Sequence, residues 1–207
     1  MTYRSTKGSD VMPRSKEAFE AMKETTRIKI EKAALPLFAK KGFSVSISEI
    51  AAAAGVSKGL LYNNFSSKEA LVIELARQAI TASERSMKAI ADNNDNAVDK
   101  INRVTTMICD MFTANHADID YFMFMAQAGM SGFRVKELVY DVYDLTNPNE
   151  TFTQIISAGQ SEGTVISGDP EQLAMTYWAT VQGLCCYILM GMKLSPKPEM
   201  LLRILLK

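Results

Sequence analysis

Apolar residues recur at helical spacing along nearly the whole chain, and no sustained alternation of apolar and polar positions competes with them. Ile30, Ala33, Ala34, Leu37 and Phe38 form one stripe, which predicts a helix over 25–41 ended by Gly42. Pro36 lies inside that stripe; it removes one backbone hydrogen bond and is expected to kink the helix. Ser46-x-x-Glu49 is a capping box, and Ile47, Ile50 and Ala51 follow as the buried face of a short helix. Gly55 breaks it. Ser57 caps the next helix, which carries Leu60, Leu61, Tyr62 and Phe65. Ser66-x-x-Glu69 reads as a second capping box that opens a long helix to about residue 90. Three helix starts this close together predict a compact trihelical unit.

Breakers divide the remainder. Asn93 to Asn96, Gly129 to Gly132 and Asn147-Pro148-Asn149 separate predicted helices over 97–114, 117–128, 133–145 and 149–162. A loop over 163–170 leads to Asp169-Pro170-Glu171, which starts a charge-free helix to about residue 192, and a short tail helix follows Pro198. Residues 1–13 read as an arm, with the helix formers of 16–23 able to extend the next helix. The fold expected is all-α with about nine or ten helices. Its parts are an arm over 1–24, a three-helix domain over 25–66 and a helical bundle over 67–207.

Composition narrows the class. Apolar residues make up 47% of the chain and charged residues 22%, an ordinary globular balance. The formal net charge is zero, but its halves differ: 12 Lys and Arg against 6 acidic residues up to Lys68, then 11 against 17. A basic segment joined to an acidic one fits a polyanion partner at one end and, on charge alone, equally a scatter of charge over solvated surfaces. The segment 172–192 carries no charge, yet Thr176, Thr180, Gln182 and Gly183 interrupt it. It therefore reads as a helix buried on several sides rather than a membrane span.

Cys109, Cys185 and Cys186 form no paired framework, which fits a reducing compartment. His116 is the single histidine, so a His-rich metal site is excluded and no metal or cofactor is expected. There is no nucleophile motif, phosphate loop or metal-ligand cluster, and no enzymatic activity or catalytic residue is expected. The start of the chain lacks the apolar core of a signal peptide.

The informative stretch runs from Ser46 to Lys68. A helix-turn-helix needs a small residue where the two helices cross, Gly at the turn and an apolar residue to plug the corner; Ala51-x-x-x-Gly55-Val56 supplies all three. Short groups then open the second helix, Ser57-Lys58-Gly59, at the end that would enter a DNA groove. Gly59 costs a helix about 1 kcal/mol against Ala, which close approach to DNA would explain.

In this ordered string, residues 27–71 resemble the DNA-binding domain of the tetracycline-repressor (TetR) family. The resemblance rests on Ala33-Ala34-x-x-x-Phe38, Gly42-Phe43, Ile50-Ala51, Gly55-Val56-Ser57-Lys58-Gly59, Leu61-Tyr62, Phe65 and Lys68-Glu69-x-Leu71. A looser echo lies at Gly159-Gln160-Ser161-Glu162-Gly163. The chain departs from the family pattern at Pro36, at Val45 and at Asn63-Asn64, where an aromatic and a His are usual.

The resemblance implies double-stranded DNA as a partner. Ser57, Lys58, Gly59 and Leu60 would face the groove, with Tyr62, Asn64, Lys68, Ser46 and Ser48 contacting phosphate. Asn63 would reach phosphate or a base, since Asn can pair bidentately with adenine. It further implies a small, largely apolar effector held in the C-terminal bundle, whose binding releases a pseudo-palindromic operator. The Met- and aromatic-rich half offers Met107, Met111, Tyr121, Phe124, Met125, Tyr140 and Trp178 as walls, with Asn102, Gln127 and Gln182 as polar groups. Phe152, Ile156, Thr176, Thr180, Gly183 and Tyr187 are the residues expected at a homodimer interface. The expected protein is a cytoplasmic, bacterial, nucleoid-associated repressor with no membrane partner. The competing reading is a helical interaction protein whose helix-turn-helix no longer binds specific DNA.

Overall fold

A computed structural model describes residues 16–114, 116–134 and 136–207. The expected arm over 1–13 lies outside them. Ten α-helices occur among the described residues: α1 (Lys16–Lys41), α2 (Ile47–Ala53), α3 (Lys58–Asn64), α4 (Lys68–Ala91), α5 (Ala97–Ala114), α6 (His116–Met130), α7 (Asp141–Tyr143), α8 (Pro148–Ser161), α9 (Pro170–Leu189) and α10 (Pro198–Leu202). The extended pairing is a lone antiparallel bridge between Val165 and Leu206.

Helix α1 begins at Lys16, so the helix formers of 16–23 do extend it, and it runs on through Pro36. Helix α4 is capped by Ser67, whose side chain accepts from the Ala70 amide, and not by Ser66 as the spacing suggested. A Ser-Ser pair offers two registers, and the local backbone selects the second. The predicted helix over 133–145 is instead a π turn, Lys136–Tyr140, joined to the one-turn α7 and stopped by Asp144 at φ 51°. Helix α9 ends at Leu189 rather than residue 192, with Gly191 at φ 90° just beyond.

Two cores form. The first gathers Ile30, Ala34 and Phe38 of α1, Ile50 and Ala51 of α2, Leu61 of α3 and Leu71, Leu75 and Ile80 of α4. Phe124 of α6 and Val139 of the π turn complete it. Phe43, in a 3₁₀ turn after α1, stacks against Phe38, Phe124 and Phe133 at 5.5–5.8 Å between ring centres. The second core joins Met87, Ile101, Val104, Ile119, Phe152, Ile156, Tyr177, Val181 and Cys185 from α4, α5, α6, α8 and α9. Helix α6 thus has a partner on each side, which is why its sequence is apolar nearly all round.

The Gly159–Gly163 phrase is structural. A Cβ on Gly159 would lie 2.4 Å from Val165 Cγ2, so only glycine lets α8 pass that loop. Gln160 donates to the Ile166 and Gly168 carbonyls, and the Glu162 carboxylate accepts from the Ala97 amide that opens α5.

Candidate nucleic-acid interface

Two side-chain caps place the helix-turn-helix. Ser46 accepts from the Glu49 amide at 3.2 Å, while the Glu49 carboxylate accepts from the Ser46 amide and hydroxyl, each at 2.9 Å. Lys41 holds the other Glu49 oxygen at 2.9 Å. The backbone bond from Ser46, the Lys41 ammonium and the Ser46 hydroxyl hold the Glu49 carboxyl down to about 2. The turn pivots on Gly55 at φ 64°, a left-handed conformation that a Cβ would strain. Ser57 then caps α3 by accepting from the Leu60 amide at 3.1 Å.

Leu61 is fully buried and anchors α3. Around it Ser57, Lys58, Gly59, Leu60, Tyr62 and Asn63 are exposed, with Leu60 40% and Tyr62 51% accessible. Ser48 is exposed at the start of α2. These residues form one continuous solvent face, including every groove-facing position that the resemblance implied.

Three residues expected to contact phosphate make hydrogen bonds within the chain. Lys68 is half-buried and donates to the Phe43 carbonyl at 2.7 Å and the Val45 carbonyl at 3.3 Å. Those carbonyls end the turn before α2, where no amide reaches them, and the ammonium takes that place. Asn64 is half-buried and donates to the Leu60 carbonyl at 2.8 Å, with its Oδ1 buried. The Ser46 hydroxyl proton goes to Glu49. Lys58 remains the exposed cation on α3 itself.

The ten residues expected to line an effector cavity do not meet in one place. Phe124 is fully buried in the first core, and Tyr121, Met125 and Tyr140 pack against it. The Gln127 carboxamide approaches the Gly42 turn, 3.3 Å from where a Cβ would sit. Met111 and Trp178 pack against the second core. Asn102 and Met107 line an open hollow of about 680 Å³ beside α5, together with Asp95, Asp99, Arg103 and Asp110. The cause is helical periodicity: neighbouring residues of α6 point to opposite sides. Trp178 is surrounded by Phe122, Phe152 and Tyr177 at 5.4–6.2 Å, and its indole Nε1 is buried with no hydrogen-bond partner among the described residues.

The expected dimer residues divide as well. Phe152 and Ile156 are fully buried in the chain's own second core, Phe152 lying 5.1 Å from Tyr177, so neither reaches an outer surface. Thr176, Thr180 and Tyr187 are exposed and Gly183 is half-exposed along one face of α9. Thr176 and Thr180 donate their hydroxyls to the carbonyls of Gln172 and Thr176, which satisfies the polar atom within the helix. Met190, 77% accessible just past the end of α9, extends the apolar character of that side.

A polar network joining α1, α4 and α6 beside the first core escaped the sequence. Tyr121 donates to Gln78 Oε1 at 3.2 Å, and Gln78 donates to Glu31 at 3.1 Å and Glu74 at 2.9 Å. Arg27 lies 3.2 Å from Glu31 and 3.3 Å from Glu74, and its guanidinium sits 4.5 Å above the Phe65 ring. Arg77 pairs with Glu74 at 2.6 Å. Burial pushes the Glu31 carboxyl up despite its partners. The i,i+4 spacing of Arg27 and Glu31 was visible in the sequence, but their pairing across α1, α4 and α6 was not.

The arrangement defines a helix-turn-helix protein with an all-helical second half. Residues 30–75 match the family described as Bacterial regulatory proteins, tetR family. Over 66 residues, 31% of this chain, the sequence is 44% identical to the uncharacterized HTH-type transcriptional regulator YerO of Bacillus subtilis (strain 168). That match spans 23% of the length of YerO. The fold resembles a protein from Saccharomonospora viridis in complex with choline, at 22% identity and TM-score 0.64, covering 87% of this chain and 94% of that one. It also resembles the ketosteroid transcriptional regulator KstR2 of Mycobacterium tuberculosis, at 21% identity and TM-score 0.62, covering 87% and 95%. A gamma-butyrolactone receptor (ArpA-like protein) matches at 25% identity and TM-score 0.64, covering 79% and 83%. Residues 30–75 thus carry the N-terminal domain of the tetR family, and the all-helical fold agrees with that match. No helix among the described residues is long and apolar enough to cross a membrane.

Proposed function

We propose that the chain is a ligand-responsive transcriptional repressor that binds a pseudo-palindromic DNA operator as a homodimer. The observation that carries this reading is the exposed face of α3. Ser57, Lys58, Gly59, Leu60, Tyr62 and Asn63 stand in solvent around a single buried anchor, Leu61. A helix held by a cap and a left-handed glycine, with its polar side unpaired, suits the major groove. Residues 25–66 with the start of α4 act as the reader, and the helices beyond form the sensing and dimerising part.

The dimer is built on α9. Its face of Thr176, Thr180, Gly183 and Tyr187 is narrow, and a two-fold axis there would set two α3 helices against successive major grooves. The effector site is narrower than the sequence suggested. It centres on Trp178, with Gln182 one turn further along α9, and the orphan indole N–H calls for an effector with a hydrogen-bond acceptor. The similar folds bound to choline or named for ketosteroids and gamma-butyrolactones support a small-molecule effector of this size class. Release follows if the effector prefers a conformation with the wrong α3 spacing. Helices α4 and α6 are the connecting elements, since Leu71 and Phe124 belong to the reader's core and Met87 and Ile119 to the sensor's. The proposed location is the bacterial cytoplasm, with the protein on the nucleoid when bound.

Selection from a random-sequence duplex library, followed by titration against salt, tests the reading. A palindromic motif and a steep salt dependence are expected. Failure to retain duplexes at low salt would favour an interaction protein instead.

A further inference from the structure

We infer that Asn63 is the residue of α3 that reads a base, and that the base is adenine; the inference rests on the DNA-binding reading above. Two adjacent asparagines occupy positions where the family pattern differs, and their chemistry is the same. The structure separates them. At about 100° per residue, Asn64 lies some 60° around α3 from the buried Leu61, and Asn63 lies about 160° from it. Asn64 is therefore drawn inward, where its amide donates to the Leu60 carbonyl at 2.8 Å. Asn63 stands at the centre of the outward face, exposed, with no side-chain partner among the described residues.

Gly59 shares that central ridge, one turn before Asn63. A Cβ there would meet only Ser57 Oγ, 3.9 Å away, so the bare backbone is not needed for packing within the chain. It lowers the ridge on the side that faces a ligand, which lets α3 sink and brings Asn63 to the groove floor. The other exposed groups suit other tasks. Lys58, exposed in the first turn of α3, and Tyr62, about 100° around from Leu61, suit phosphate contacts, and Leu60 offers only apolar contact. A carboxamide presents one donor and one acceptor in a plane, which matches N7 and the N6 amino group of adenine.

Duplexes selected by the full-length protein supply the test. The wild-type motif is expected to hold an adenine in each half-site that Asn63→Ala no longer prefers, while Asn64→Ala keeps it. Replacing that adenine by 7-deazaadenine, which lacks the N7 acceptor, should weaken wild-type binding about fivefold or more and leave Asn63→Ala binding unchanged. The inference is overturned if Asn63→Ala retains the preference, or if the analogue weakens both proteins equally. Wild-type insensitivity to the analogue overturns it without any variant. A wild-type protein that selects no sequence at all sinks the operator-binding function together with this inference.

Discussion

The Lys68 ammonium donates to the Phe43 carbonyl at 2.7 Å, fastening the first turn of α4 to the turn that precedes α2. The same ammonium reaches the Val45 carbonyl, so one cation closes a backbone end that has no amide to satisfy it. Lys68→Met should lower stability by about 1–3 kcal/mol in chemical denaturation, because a charge-assisted bond is lost. Its DNA-binding salt slope should stay that of the wild type. Lys58→Ala should do the reverse, keeping stability and lowering the slope by about one. Equal slopes for wild type and Lys58→Ala would remove Lys58 from the phosphate contacts.

Phe124 comes from α6 yet sits in the core of the N-terminal unit, 6.0 Å from Phe38. Phe124→Ala should destabilise the protein by about 3–5 kcal/mol through the cavity it leaves. A fragment ending at Ala91 lacks that ring and should bind an apolar dye and show broad thermal unfolding. A cooperative transition in the fragment would show that α6 is dispensable to the reader.

The α8 and α9 positions should part under substitution. Thr180→Arg lies on the exposed face and should yield a folded monomer by light scattering, with wild-type helical content by circular dichroism. Phe152→Ala should instead unfold the chain by about 3–5 kcal/mol. An undiminished dimer in Thr180→Arg would move the interface off α9.

The Glu31 carboxyl is raised above its ordinary 4.5 by burial, against the pull of Gln78 and Arg27. A raised folded value means the folded state holds the proton more tightly. This group's contribution is therefore fully present below about 4.5 and is lost as pH rises through the raised folded value. Glu31→Gln should abolish that fall in a stability profile measured from pH 4 to 7. Glu74 acts oppositely: burial raises it, but Arg77, Gln78 and Arg27 together lower it. Its contribution is present above the ordinary value and lost as pH falls through the lowered one. The Glu31 variant should leave that acid limb in place.

Trp178 is the single tryptophan, so its fluorescence reports one site. Effectors that accept a hydrogen bond at Nε1 should shift its emission, and Trp178→Phe should weaken them several-fold while leaving effector-free DNA binding unchanged. Equal effector affinity in Trp178→Phe would place the site elsewhere in the bundle.

Much of the reader was legible from residues near one another in the chain. The Ser46 capping box, the Gly55 pivot and the Ser57 cap are interactions within four residues, and each formed as its spacing implied. The Ser66 cap did not, because Ser67 offered an equal hydroxyl one residue on. The aromatic run Tyr121 to Met125 was visible as apolar but not as two-sided.

The sequence by itself determined the helical layout outside 133–145, the helix-turn-helix and the exposed start of α3, since these follow from periodicity, capping and turn chemistry. Tertiary structure decided what each polar or aromatic side chain was free to do. It buried Phe152 and Ile156, turned Asn64 and Lys68 onto carbonyls, and left Asn63 open. The reason is that availability depends on partners far along the chain, and Lys68 meets Phe43 only once α4 has folded back across the first core.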